Sequence, residues 1–183
     1  MILEIIVVLI VILLSMTIHE AMHAFMGYAL GDNTAKEEGR LTLNPIRHID
    51  PVMTILLPLI MVVLRAPVFG GAKPVPFNPN RVRFGDWGAA LVAFSGPITN
   101  LIIAFITFGV GVFSGVINNA GAVQPTMFGL IISTTVSVNL GFFIFNMLGS
   151  YDYILYSRIN YSSTTHYTRF HRNIQVTIYK SPS

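Results

Sequence analysis

The chain contains no cysteine, so neither disulfides nor thiolate metal sites are open to it. Charge is also scarce: Asp, Glu, Lys and Arg make up 10% of the 183 residues, against roughly 25% in an ordinary globular domain. From Trp87 to Tyr151 there is no Asp, Glu, Lys, Arg or His at all. A soluble fold would struggle to keep 65 consecutive uncharged residues, many of them apolar, in water. The net charge of +3 comes from scattered basic residues, which excludes a nucleic-acid footprint and fits loops beside an anionic membrane surface. No nucleotide-binding motif is present.

What the chain does have is apolar sequence, 53% of it. Three stretches are long enough to span the ~30 Å of hydrocarbon that ~20 helical residues cross: residues 2–30, 88–117 and 126–148. A fourth apolar run, 52–64, is short and interrupted by Pro58, which suits a re-entrant or interfacial piece. Seven of the eleven Lys and Arg fall within residues 31–87, four in the tail, and none in 118–125. By the positive-inside rule the first loop and the tail face the cytoplasm. If 52–64 crossed, Arg65, Lys73, Arg81 and Arg83 would face the wrong side. The first run could pass for a signal peptide. It lacks a basic start and a small-residue cleavage site, and reads as a retained helix. The expected fold is therefore an all-α polytopic membrane protein of about three transmembrane helices, a re-entrant segment and a short extended region.

That extended region is Lys73-Pro74-Val75-Pro76-Phe77-Asn78-Pro79, too rich in proline for helix. It is either an ordinary surface loop or an edge offered to an extended peptide. Gly111-x-x-x-Gly115 has the spacing of a helix-packing face, although glycine is common in membrane helices in any case. After Leu148 the composition changes: six of the seven tyrosines lie in 149–183, and no clear helical period is visible there.

The first apolar stretch carries His19-Glu20-Ala21-Met22-His23. Residues four apart share one helix face, so both imidazoles can reach one ion, with Glu20 on the neighbouring face. Ionisable groups inside a membrane helix must be paired, solvated or ligated. The competing reading places them at a helix end among headgroups. With no cysteine, Zn2+ held by His19 and His23 is the natural ion, with Glu20 as base toward a bound water. Depth in the membrane places the scissile bond in or beside a transmembrane segment. A metal transporter is disfavoured, because a permeation path needs ionisable groups on more than one helix.

Several motifs in order resemble the site-2 protease family of intramembrane zinc metalloproteases (M50-type), in its small prokaryotic subgroup without a PDZ domain. They are His19-Glu20-x-x-His23; Gly31-Asp32-x-Thr34-Ala35-Lys36-x-x-Gly39-Arg40-Leu41-Thr42-Leu43-Asn44-Pro45; His48-x-Asp50-Pro51; Lys73-Pro74-Val75-Pro76-x-Asn78-Pro79; Gly96-Pro97-x-x-Asn100; and Asn139-Leu140 leading to Phe145-Asn146. The resemblance covers residues 15–148. It implies a metalloprotease core over 1–148 in a prokaryotic plasma membrane, membrane-protein or transmembrane-peptide substrates, zinc on His19 and His23, and Glu20 as catalytic base. Asn100 and Asn146 match family asparagines near the active site.

The family's third ligand is an Asp in N-x-x-P-x-x-x-L-D-G. Here the match stops at Asn146: Gly149 stands at the proline position and Ile154 at the Asp position. Asp152 is the nearest carboxylate, either a substitute ligand or a tail residue between tyrosines. A frame disruption or a divergent C-terminus would explain the atypical tail, 149–183. Two functions follow: an active zinc metalloendopeptidase, or a catalytically impaired protein that binds substrate helices without cutting them. Asp50 and His48 read as loop-capping and loop hydrogen-bonding groups, and His166 and His171 carry no site spacing.

Overall fold

The computed structural model describes residues 2–64, 72–118 and 120–159, with side chains described as far as Gly149 apart from that of Val62. Arg65 and Pro67, and residues 160–183 with His166 and His171, lie outside the described residues, as does the side chain of Asp152.

Among the described residues the fold is all-helical, without strands. Helix α1 spans Ile2–Ala29, α2 is one turn at Thr34–Glu37, α3 spans Leu57–Val63, α4 spans Asp86–Phe113 and α5 spans Met127–Ile159. Three of these, α1, α4 and α5 as far as Gly149, are long and apolar enough to cross a membrane. At about 1.5 Å rise per residue, the 28 residues of α1 and of α4 exceed the ~30 Å hydrocarbon core. The chain is thus a membrane protein, and it exposes Ile2, Ile6, Ile10, Leu14, Phe105, Phe108 and Ile144 where a soluble protein would place polar groups.

The helix ends differ from the sequence reading in two places. Helix α4 stops at Phe113, because Gly115 turns the chain with φ +73° and Asn118 closes a turn by accepting from the Ala120 and Ala122 N–H groups. Helix α5 does not stop near Leu148 but continues to Ile159; residues 150–159 contain neither glycine nor proline to break it. The short apolar run folds as a π-helical turn, Pro51–Leu56, followed by α3. The wider turn precedes Pro58, whose ring would meet the Thr54 carbonyl in an unbroken α-helix.

The three long helices pack around one seam. A Cβ at Gly111 would lie 2.7 Å from Ile117 Cδ1 and 2.9 Å from Ile132 Cγ2, so this glycine lets α4 approach α5, whereas Gly115 meets nothing within 4 Å. Only the first glycine of the G-x-x-x-G string is therefore a packing position. Ile12 and Met16 of α1 bury against Phe142 of α5.

The extended segment 72–78 is strapped onto the N-terminal half. Val75 packs with Ala24 and Ala35, and Phe77 with Val82, Ala89 and Val92. Asp32 is buried and accepts from the Thr34 N–H at 3.0 Å and the Asn78 N–H at 2.7 Å. Buried Arg40 donates through Nη2 to the Lys73 and Pro74 carbonyls. Asp50 caps the π-helical turn, accepting from the Val52 and Met53 N–H groups at 2.9 Å each, and His48 Nε2 donates to the Thr42 carbonyl at 2.8 Å. Both residues thus do the loop work their positions suggest.

Candidate metal centre

Three helices each contribute one face with a spacing of four. On α1 it is Ser15, His19 and His23; on α4 it is Val92, Gly96 and Asn100; on α5 it is Thr135 and Asn139. Such a spacing stacks side chains along one stripe of a helix. Helices α1 and α4 run antiparallel here, since His19 meets Asn100 while His23 meets Val92.

The two imidazoles converge. His19 Nε2 and His23 Nε2 lie 3.1 Å apart, with the rings edge-on at 81° and centroids 4.7 Å apart. Each ring uses its other nitrogen as a donor. His23 Nδ1 sits 2.7 Å from the Val92 carbonyl, which can only accept, so the proton is on Nδ1. Ser95 Oγ donates to the same carbonyl at 2.7 Å. His19 Nδ1 donates to Asn100 Oδ1. Both Nε2 atoms therefore carry lone pairs, and these point toward each other. Two lone pairs this close repel unless a cation lies between or beside them. A hydrogen bond from the far nitrogen, which fixes tautomer and ring orientation, is the usual support for a metal-bound histidine.

Gly96 lets both imidazoles lie against the backbone of α4. A Cβ built there would collide with His23 Nε2 and come within 2.7 Å of His19 Nε2 and 2.8 Å of His19 Cε1. The missing side chain makes a notch in α4 into which both nitrogens fit. The two imidazoles and the notch fit a divalent ion of the zinc type. Among the described residues no third His, Cys, Asp or Glu joins them. The family's third-ligand position is occupied by Ile154, with Asp152 the nearest carboxylate, and both side chains are outside those residues.

Glu20 turns to the strap, residues 72–78. Its Oε2 accepts from the Val75 N–H at 3.0 Å, and the side chain is buried. The Lys73 N–H donates to the His48 carbonyl at 2.9 Å, and Pro74 and Pro76 have no N–H. The Lys73, Val75 and Asn78 N–H groups are thus committed within the protein. The edge that the sequence offered to an extended peptide is largely used to hold Glu20 and its surroundings.

Asn146 donates to the Phe142 carbonyl one turn back at 2.8 Å, on its own helix. Asn139 and Ser15 are in the site's hydrogen-bond network instead: Asn139 Nδ2 donates to Ser15 Oγ at 2.9 Å, and Asn139 Oδ1 accepts from Asn100 Nδ2 at 2.7 Å. Sequence reading assigned neither a role. The available signal was weak: a polar residue inside an apolar helix, and, for Ser15, a position four before His19.

No family model matches this chain, and no solved structure matches it significantly. A Bacillus subtilis protein named "Putative zinc metalloprotease YwhC" is 38% identical over 144 residues, covering 76% of this chain and 61% of its own length. A Mycolicibacterium smegmatis protein named "Putative zinc metalloprotease Rip2" is 32% identical over 98 residues, covering 53% of this chain and 36% of its own length. Its namesake in Mycobacterium tuberculosis is 30% identical over 99 residues. The chain spans about three fifths of the length of the first relative and about a third of the others, and all three carry zinc metalloprotease names.

Proposed function

We propose that this chain is the metal-binding core of an intramembrane zinc metalloendopeptidase of the site-2 protease type. It hydrolyses peptide bonds in or near transmembrane segments of other membrane proteins, in a prokaryotic plasma membrane that it crosses several times. The observation that carries this reading is the pair of inward-facing Nε2 atoms at 3.1 Å, each backed by a hydrogen bond from its own Nδ1. The zinc metalloprotease names of the relatives support the same chemistry.

In this reading His19 and His23 hold zinc beside the Gly96 notch. When bound, the ion supplies Lewis acidity toward a peptide carbonyl and toward water. Glu20 takes the water proton and returns it to the leaving amine. The Val75 N–H, pinned through Arg40, holds the Glu20 carboxylate in place. The reacting helix must unwind before its carbonyls become available, so substrates with Gly or Pro near the cut are favoured. A second reading, a protein of the same fold that binds substrate helices without cutting them, draws on the lack of a third ligand among the described residues.

One experiment separates them. The full chain, loaded with zinc in detergent or nanodiscs, is incubated with a model transmembrane peptide beside its Glu20→Gln variant. The variant should keep zinc and lose about 10²- to 10⁴-fold in cleavage, the usual share of a general base. Equal rates in both proteins would refute the enzyme reading. Zinc and peptide binding with no cleavage in either would leave the non-cutting reading standing.

A further inference from the structure

His19 presents a lone pair at Nε2 only if its proton sits on Nδ1, and that depends on which end of the Asn100 amide faces it. An amide can turn by 180° and exchange its acceptor for its donor with almost no change in shape. If Asn100 turned, its NH2 group would face His19 Nδ1, the imidazole proton would move to Nε2, and the ring could no longer bind a cation.

The structure decides the matter at a distance. Asn139 Nδ2 lies 2.9 Å from the Thr135 carbonyl of its own helix. A backbone carbonyl only accepts, so the NH2 group of Asn139 must point there and toward Ser15 Oγ, also at 2.9 Å. Its Oδ1 then faces Asn100, which must answer with Nδ2 at 2.7 Å. That leaves Asn100 Oδ1 for His19 Nδ1. Within the amide chain each step follows from the carbonyl of Thr135; the Gly96 backbone also bonds the His19 ring, independently of that chain. Both asparagines are completely buried and His19 is 2% exposed, so exchange with water does not compete, and a wrongly turned amide would leave a buried group unpaired at a cost of about 1–3 kcal/mol. His23 reaches the same end by a shorter route, through the Val92 carbonyl of α4.

We propose that Asn139 is a positioning residue that sets the tautomer of His19 through Asn100, so that backbone carbonyls of α4 and α5 aim both imidazole lone pairs at one ion. As far as the ion is concerned this rests on the zinc reading above; the tautomer itself does not. The arrangement makes α5 part of the metal centre without contributing a ligand among its described side chains. It couples the packing of the third long helix to the competence of the first.

The test uses the full chain in detergent, with Co2+ as a spectroscopic probe for the zinc site and 15N-labelled imidazoles for the tautomer. Three proteins are compared: wild type, Asn139→Leu, which removes the chain of bonds, and Asn139→Asp, whose buried carboxyl in its protonated form donates to the Thr135 carbonyl through one oxygen and accepts from Asn100 through the other, while the Ser15 hydroxyl can turn to suit. In metal-free wild type, at a pH where imidazole is neutral, His19 should carry its proton on Nδ1. Asn139→Leu should lose that preference and weaken Co2+ binding about 10- to 100-fold, the range typical of lost outer-shell partners, while Asn139→Asp retains both. Wild-type Co2+ affinity in Asn139→Leu would overturn the proposal. So would equal weakening in both variants, which would mean that Asn139 only fills space. If Asn139→Leu fails to fold, the wild-type spectrum still decides, since a proton on Nε2 of His19 contradicts the relay outright. A wild type that binds no Co2+ yet shows the expected tautomer, lost in Asn139→Leu, would sink the zinc reading and leave this inference intact.

Discussion

Gly96→Ala adds one methyl group to a helix and should disable the metal centre. The reason is distance. The new Cβ would overlap His23 Nε2 and stand 2.7 Å from His19 Nε2, whereas ordinary carbon–nitrogen contacts begin near 3.4 Å. Each ring must retreat by several tenths of an ångström or more, and neither can do so freely. His19 is tied to Asn100 and His23 to the Val92 carbonyl. Overpacking of this kind costs about 1–3 kcal/mol. If the rings yield in order to bind, that cost appears in metal affinity, where 1.4 kcal/mol is tenfold, so zinc should bind roughly 5- to 150-fold more weakly. Competition against a chromophoric chelator in detergent measures this directly. Gly109→Ala is the control: it lies on the same helix, and its added Cβ meets nothing within 4 Å. It should bind zinc normally and gain slightly in stability from the better helix former. Equal zinc affinity in Gly96→Ala and wild type would refute the placement of the ion beside this notch.

Two further outcomes follow from the strap and its surroundings. Arg40→Ala leaves the Lys73 and Pro74 carbonyls without their donor; it should cost about 1–3 kcal/mol and speed hydrogen exchange of the Val75 amide, and an unchanged exchange rate would show that Arg40 does not hold the strap. His48 lies outside the spanning helices and is 1% exposed; burial first, and the neighbouring Arg40 guanidinium second, lower its pKa, against the opposing bond to the Thr42 carbonyl. Its folded pKa thus lies below the unfolded value of ~6.5, so the unfolded chain takes up the proton first. The stability it supports is present above about pH 6.5 and is lost as pH falls below it. Comparing thermal midpoints against pH for wild type and His48→Gln checks this: the variant should lose less stability on acidification, and parallel curves would exclude His48 as a source.

How legible the protein was depends on how local each feature is. The convergence of His19 and His23 could be read directly, because the α-helix repeat alone stacks residues four apart. The three long helices were readable for a similar reason. In lipid a run of about 20 apolar residues satisfies its own backbone only as a helix. Asp50 and His48 kept their loop roles because a cap acts within a few residues of itself. The third span, 126–148, was readable from its apolar run and agrees with Met127–Gly149, while the helix itself runs on to Ile159 because the backbone beyond Leu148 lacks a breaker. The amide chain from Thr135 through Asn139 and Asn100 to His19 links residues more than a hundred positions apart, and no spacing rule reaches that far. The notch at Gly96 exists only because α1 lies against it. The hold on Glu20 comes from the N–H of Val75, a group every residue but proline possesses and no sequence distinguishes. By itself, then, the sequence determined which helices form and that two imidazoles share a face. Only the packing of those helices decided which nitrogen of each ring is free, because hydrogen-bond direction is set by the neighbour across the interface.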